Sequence, residues 1–382
     1  MKTSKAWLFI CTIVLTGCAG DIRQEKPRVE LVSNALTLAI SAQTSTISNG
    51  LLGYNDEGKD YLFNINWLTN SLQLYDVDQA KLIKEIRFAR EGPNGVGRVF
   101  GFHVLSFDSL LLFTQRGAEV VLTDTSGTVK NKISYQPPLG FTAAFVHNAY
   151  FISQPIVYGH KLIVKAHIEG NYREMTQARL QTFPLAYSIN LHNGETEPLP
   201  ATYPGNYMSD GLRFFEYSMA GNGKKLAFSF FGDHRLFYVD TPAEKQLQTV
   251  DSRSQYLGEK FPLFPVAGGR ADTYRYLFAS DRYESLLYDP FRNIYYRIAV
   301  PGAEDLDENR LRELRTAPVR FSILILNQNL EPIGEHLLAD NTYLPQNIFI
   351  GSKGLYISTS HPNNKEAKED FLSFDLLKVT FR

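Results

Sequence analysis

The sequence predicts an all-β protein, a β-propeller built of four-stranded antiparallel blades, and three observations carry that prediction. Seven times a β-rich run closes on or near Asp or Asn, and in most cases it then crosses a polar turn into a second run, as in SLQLYDVDQAKLIKEIRF and RLFYVDTPAEKQLQTV. The marking residues, Asp76, Asp124, Asn190, Asp240, Asp289, Asn327 and Asp375, are separated by 48, 66, 50, 49, 38 and 48 positions, close to the length of one propeller blade. Upstream of most of them lie strand-like runs such as VLSFDSLLLF and KKLAFSFF, almost continuously apolar, as strands buried on both faces must be.

The chain opens with Lys2 and Lys5 before a ten-residue apolar run, residues 6–15, followed by small residues. That is the layout of a secretory signal peptide, and ten residues are too few to span a bilayer, which takes roughly 20. The run ends in Leu15-Thr16-Gly17-Cys18, which resembles the lipobox of bacterial lipoproteins. The resemblance implies cleavage before Cys18, a diacylglycerol thioether on its sulfur and acylation of the new amino group. At about 0.8 kcal/mol per buried methylene, such an anchor holds firmly. The other cysteine, Cys11, lies in the discarded segment, so neither is expected to serve in a disulfide, redox or metal site. Residues 18–34 read as the lipidated N-terminus and a polar tether, and residues 35–382 as one propeller. The membrane is thus an expected partner through Cys18. Asp21 stands alone where surface-exported lipoproteins of the Bacteroidetes carry an acidic cluster, which favours an outer-membrane protein facing the periplasm over one on the cell surface.

Within the ring, the short Asp and Asn side chains at the turns accept backbone N–H bonds and tolerate tight-turn dihedrals, so they are read as structural. The hairpin around Asn327 lacks a clear inner pair of strands. The ring therefore has seven blades with one degenerate, or six with a decorating hairpin. Four stretches depart from strand texture and are expected insertions, near 167–184, 196–212, 252–273 and 301–318. The last has acids early and arginines late, with Leu306, Leu311 and Leu314 placed for one apolar face, as a helix would have.

Chemistry-bearing motifs are few. Removing residues 1–17 leaves 37 basic against 40 acidic residues, a formal charge of −3, which argues against nucleic acid as a partner. REGPNGVGRVFGF, residues 90–102, has neither the P-loop spacing nor G-x-G-x-x-G. It resembles the crossover of NHL-like propeller repeats, with Gly92 and Pro93 shaping the turn and Phe100 plugging between blades; Arg90 and Glu91 are candidates to line a central pocket. The eight histidines form no H-E-x-x-H or H-x-H pair, and no metal or cofactor is expected. No G-x-S-x-G elbow occurs. In ATYPGNYMSDGLRFFEY, Tyr203, Tyr207 and Tyr217 stand with Asp210, Arg213 and Glu216, a composition suited to stacking on and hydrogen-bonding a carbohydrate or peptide, or to core packing between blades.

Together the lipobox, the tether, the marked hairpins and the EGPNG crossover resemble the uncharacterised β-propeller lipoproteins of the Bacteroidetes, a domain-of-unknown-function family. The expected function is non-catalytic capture of a glycan, a peptide or an envelope protein partner. The alternative is a propeller hydrolase or lyase acting on an envelope or extracellular glycan, with Asp210, Glu216 and Asp233 as its nearest carboxylates; a structural scaffold is the third reading. Acids converging in a closed funnel would favour the enzyme, and an open aromatic groove would favour binding.

Overall fold

The computed structural model describes residues 26–381 apart from 115, 116, 147 and 305. The expected cleavage site and Cys18 lie outside the described residues. Six four-stranded antiparallel sheets form the ring. The chain enters through β1 (Arg28–Ala39) and then builds blade I from β2 (Leu51–Asp56), β3 (Lys59–Asn66), β4 (Ser71–Asp76) and β5 (Lys81–Arg87). Blade II is β6 (Val99–Ser106), β7 (Ser109–Thr114), β8 (Glu119–Thr123) and β9 (Val129–Ser134). Blade III is β10 (Ile156–Tyr158), β11 (Lys161–Lys165), β12 (Ala186–Asn190) and β13 (Thr196–Pro198). Blade IV is β14 (Tyr217–Gly221), β15 (Leu226–Phe230), β16 (Arg235–Val239) and β17 (Gln248–Asp251). Blade V is β18 (Arg282–Asp289), β19 (Ile294–Val300), β20 (Ser322–Leu326) and β21 (Pro332–Leu337). Blade VI takes β22 (Ile348–Gly351), β23 (Gly354–Ser358) and β24 (Phe371–Thr380), and β1 returns as its outermost strand, paired from Arg28↔Thr380 to Ala39↔Phe371. Residues 28–34, read from the sequence as tether, are thus part of the closing strand.

The ring has six blades, not seven, and the miscount has a local cause. Asp76, Asp124, Asn190 and Asp240 close the third strands of blades I to IV or follow them directly, and so open outer hairpins. Asp289 instead opens the inner hairpin of blade V, whose outer hairpin is the one at Asn327, so two marked hairpins share one blade. Asp375 opens no turn. It lies inside β24, where its carboxylate accepts the Asn34 N–H at 2.7 Å and the Tyr343 hydroxyl at 2.6 Å, holding the irregularity of β1 between Val32 and Leu36.

The first strand of every blade lines the axis, and apolar clusters fill the gaps between blades, as with Phe63 and Leu72 of blade I against Phe102 and Leu110 of blade II. Because strands alternate in direction, one face of the ring carries the short turns within hairpins and the other carries the long connections. The second, the insertion face, bears α1 (Gln177–Leu180), α2 (Arg270–Ala279) and α3 (Glu308–Thr316). The helix expected in 301–318 is α3: Asp307 caps it by accepting the Arg310 N–H at 2.7 Å, and Leu311 and Leu314 bury against Ala279 of α2. The segment 196–212 begins as strand β13, so only its later part is an insertion.

Arg297 in β19 is fully buried, and burial lowers its pKa to about 10. Its guanidinium lies 3.3 Å from the centroid of Tyr283 and donates to Ser229 Oγ at 2.9 Å and to the carbonyls of His234, Ser252 and Asp233 at 2.7, 2.9 and 2.6 Å. It fastens the β15–β16 turn of blade IV to blade V with each bond charge-assisted.

Burial pushes the pKa values of His103, His234, His336 and His361 below the usual 6.5. Below pH 6.5 the unfolded chain therefore binds more protons than the native one, and stability falls as pH drops until the folded-state values are passed. Urea unfolding is expected to give a lower free energy at pH 5.5 than at pH 7.5, by at most about 1.4 kcal/mol per pH unit for each histidine. A protein as stable at pH 5.5 would contradict the assignment.

Candidate functional site

The axis is crossed by the connection between β9 and β10, and this crossing creates the site. Asn148 is tied to blade II: its Oδ1 accepts the Phe102 N–H and its Nδ2 donates to the Phe102 carbonyl, both at 3.1 Å. Four residues later the Ile152 N–H donates to Ser285 Oγ of blade V at 3.1 Å, and Ser218 of blade IV donates to the Ile152 carbonyl. Blades II and V are opposite in a six-bladed ring, so residues 148–152 form a strap across the channel. Passage requires Gly101, because a Cβ there would lie 1.6 Å from the Val146 carbonyl oxygen. Phe151 at the centre has φ of +46°, an unfavourable conformation for a bulky residue. It is held because Ser153 Oγ donates to its carbonyl at 2.9 Å and in turn accepts the Met219 N–H at 2.9 Å.

The strap divides the channel. Toward the turn face lies a cavity of about 520 Å³ with Ile152 and Gln154 in its lining. Toward the insertion face lie two adjoining recesses of about 200 and 350 Å³ that share Tyr150, Phe151 and Phe214. The smaller contains Lys165 and Glu216 in contact; the larger contains Arg282 bonded to Glu284 at 2.9 Å. Lys165 sits at the end of β11, 4.9 Å from the centroid of Tyr217 and 5.7 Å from that of Phe151. Burial holds its amine well below the ordinary lysine range, with the Glu216 carboxylate as counter-ion.

Beside the smaller recess runs a row of aromatic rings drawn from three blades and from the connection that becomes the strap. The Arg98 guanidinium lies 5.3 Å from the Trp67 centroid, Trp67 lies 4.8 Å from Phe100, Phe100 4.4 Å from Phe145, and Phe145 5.6 Å from the ring of His167. Phe145 is 41% exposed and the others are half-buried or, for Arg98, exposed. His167 also reaches the Phe145 carbonyl, 3.2 Å from Nε2, and it lines the recess of Lys165.

Only part of the site expected from the sequence comes together here. Glu216 lines the recess. Tyr203, Tyr207 and Tyr217 do not face solvent: they are buried in the core between blades III and IV, and their hydroxyls donate to the carbonyls of Phe215, Phe214 and Leu185. Their packing role follows from ring contacts with Phe230, which leave no face for a ligand. Asp210 and Arg213 pair with each other, and Arg213 donates to the Gly232 carbonyl at 3.2 Å. Arg90 and Glu91 are exposed in the turn before β6 and are absent from the lining of all three axial cavities. The three carboxylates of the enzyme alternative are each bound to a base of their own, Asp210 to Arg213, Glu216 to Lys165 and Asp233 to Arg235. Trp67, Phe145, Lys165, His167 and the strap escaped sequence reading. Of the row, only Phe100 had a local motif to mark it.

Six closed blades with a strapped axis place the protein among the β-propellers. The family profile described as Domain of unknown function (DUF4221) matches residues 28–337, and the chain belongs to that family. The crystal structure of a DUF4221 member from Bacteroides vulgatus is similar to it at 24% identity with a TM-score of 0.82, over 94% of this chain and 100% of that one. A putative exported protein from Bacteroides fragilis aligns at 10% identity with a TM-score of 0.50, over 94% and 96% of the two chains. No curated protein matches in sequence.

If Asn148 holds the strap, Asn148→Ala should cost about 2 kcal/mol in urea unfolding, because two buried backbone groups of Phe102 lose their partners. An unchanged midpoint and slope would show that the strap is held elsewhere.

Proposed function

We propose that this protein is a lipid-anchored, extracytoplasmic propeller whose insertion face captures a glycan or peptide without turning it over. The observation that carries the reading is the aromatic row Trp67–Phe100–Phe145–His167, flanked by Arg98 at one end and by the Lys165–Glu216 pair at the other. Ring faces of this kind stack on the apolar faces of sugars and on peptide side chains, while charged groups at the ends set orientation. The carboxylates, each neutralised by its own base, argue for binding over glycoside hydrolysis, which needs one carboxylate free to act as base or nucleophile.

The topology supports one orientation on the membrane. β1 starts at Arg28, beside the end of β24, on the turn face. An anchor at Cys18 is separated from it by a tether of at most about 35 Å. The turn face would lie toward the outer membrane, and the insertion face would look away from it into the periplasm.

A thermal-shift screen of the full chain against oligosaccharides and peptides tests the capture reading, since a ligand at a hundred times its Kd adds about 2.7 kcal/mol. Phe145→Ala should weaken a hit about fivefold, the loss of one stacking contact, with unfolding unchanged. A hit consumed during incubation, or one indifferent to Phe145→Ala, would overturn it. For the anchor, Cys18→Ala is expected to abolish incorporation of labelled fatty acid in cells, and retained label would sink the lipobox reading.

A further inference from the structure

The turn-face half of the channel is chemically unlike the insertion face. Its cavity of about 520 Å³ falls in the range of small-molecule sites. All six innermost strands contribute to its wall, and the strap closes its far end through Ile152 and Gln154. Among the described residues no Asp, Glu, Lys or Arg lines it. The wall is largely apolar, with Leu51, Met219 and Ile348 beside the rings of Tyr54, Tyr288 and Phe349, and Phe291 stands exposed at the mouth.

Tyr54, Asn55 and Tyr288 also line it, each bonded to a neighbour of its own, and a further polar pair interrupts the surface. His103 Nδ1 lies 3.0 Å from Gln154 Oε1, joining blade II to the strap. Among the described residues neither His103 Nε2 nor the remaining end of the Gln154 amide has a hydrogen-bond partner, and both residues line the cavity. Burial keeps the imidazole neutral at neutral pH. Its complement is fixed whichever way the pair is oriented. With Nδ1–H donating to Oε1, the pair offers an Nε2 acceptor and an amide donor; with the amide reversed, it offers an Nε2–H donor and a carbonyl acceptor. The two ring nitrogens point away from each other, so Nε2 and the free end of the amide are two separate polar points, and a hydroxyl, able both to donate and to accept, can pair with either. A carboxylate or an ammonium would enter a cavity with no counter-ion, at a steep desolvation cost.

We propose that the turn-face cavity is a second binding site, specific for an uncharged amphiphile that carries an aliphatic body and a hydroxyl group held at His103 or at Gln154. The mouth opens on the face from which β1 departs, so the anchor proposed above would turn it toward the bilayer surface, where such molecules partition; the chemistry of the site does not depend on the anchor.

The test uses 1-octanol, octanoate and octylamine as probes on the full chain at pH 7.5, with calorimetric titration for stoichiometry. Octanol is expected to bind once per chain, and at least tenfold more tightly than either charged probe. At least one of His103→Phe and Gln154→Leu should weaken octanol about tenfold, the equivalent of one hydrogen bond with its partner left unpaired. Phe145→Ala should leave octanol binding unchanged, which separates this site from the insertion face. Failure of octanol to bind, equal binding of octanoate or octylamine, or wild-type affinity in both polar-pair variants would overturn the proposal. The probe series requires no substitution, so it decides the matter even if a variant does not fold.

Discussion

Closure of the ring is the constraint on which everything else rests. Each blade is apolar on both faces, so none can be satisfied by a single neighbour, and an open ring would expose two such faces to water. The pairing of β1 with β24 removes both at once, along a register that runs from Arg28↔Thr380 to Ala39↔Phe371 with one irregularity. Asp375 and Tyr343 support that irregularity from beneath, and Asn347 adds a second tie by exchanging two hydrogen bonds with the backbone of Ser48 at 2.7 and 2.8 Å. Residues far apart in sequence thus carry the closure, and the cost of ordering the first strand is offset only when the last blade is in place.

A closed ring of six leaves an axial channel, and the strap is this fold's answer to it. Residues 148–152 fill it with backbone, and the polar groups of Asn148 and Ile152 named above have partners in blades II, IV and V. The same feature generates a chemical asymmetry. Phe151 and Tyr150 face the charged, aromatic recesses of the insertion side, whereas Ile152 and Gln154 face the uncharged cavity of the turn side. The positive φ of Phe151 breaks the extended path there, so the strap presents Tyr150 and Phe151 to one side and Ile152 to the other.

How much of this could be read from the chain depended on whether the signal was local. Asp76, Asp124, Asn190 and Asp240 marked their hairpins because turn chemistry acts within four residues, as when Asp76 accepts the Gln79 N–H at 2.8 Å. Asp289 misled for the same reason: inner and outer hairpins use the same device, and only the pairing of β19 with β20 shows that they share a blade. Asp375 misled because its partners, Asn34 and Tyr343, are remote. The tyrosines near 203–217 had the composition of a binding loop, yet a chain rich in aromatics spends most of them on packing, and the nearby Phe230 decided their fate. Of the row of Trp67, Phe100, Phe145 and His167 only Phe100 had a local trace, because its members come from four segments that meet only when blades I to III pack side by side.

The two buried bases show how structure and site can be told apart. Arg297 is fully accounted for by the fold: four of its bonds lie within 3 Å and end on a hydroxyl and three carbonyls of blade IV and the segment that follows it. Lys165 is not. It is nearly as buried, but among the described residues its one ionic partner is Glu216, and it lies against ring faces and a recess open to the insertion face. A buried ion pair is weak as a source of stability, since desolvation cancels much of the attraction. On the capture reading proposed above, that cost is offset by what the recess would receive rather than by what the blades require.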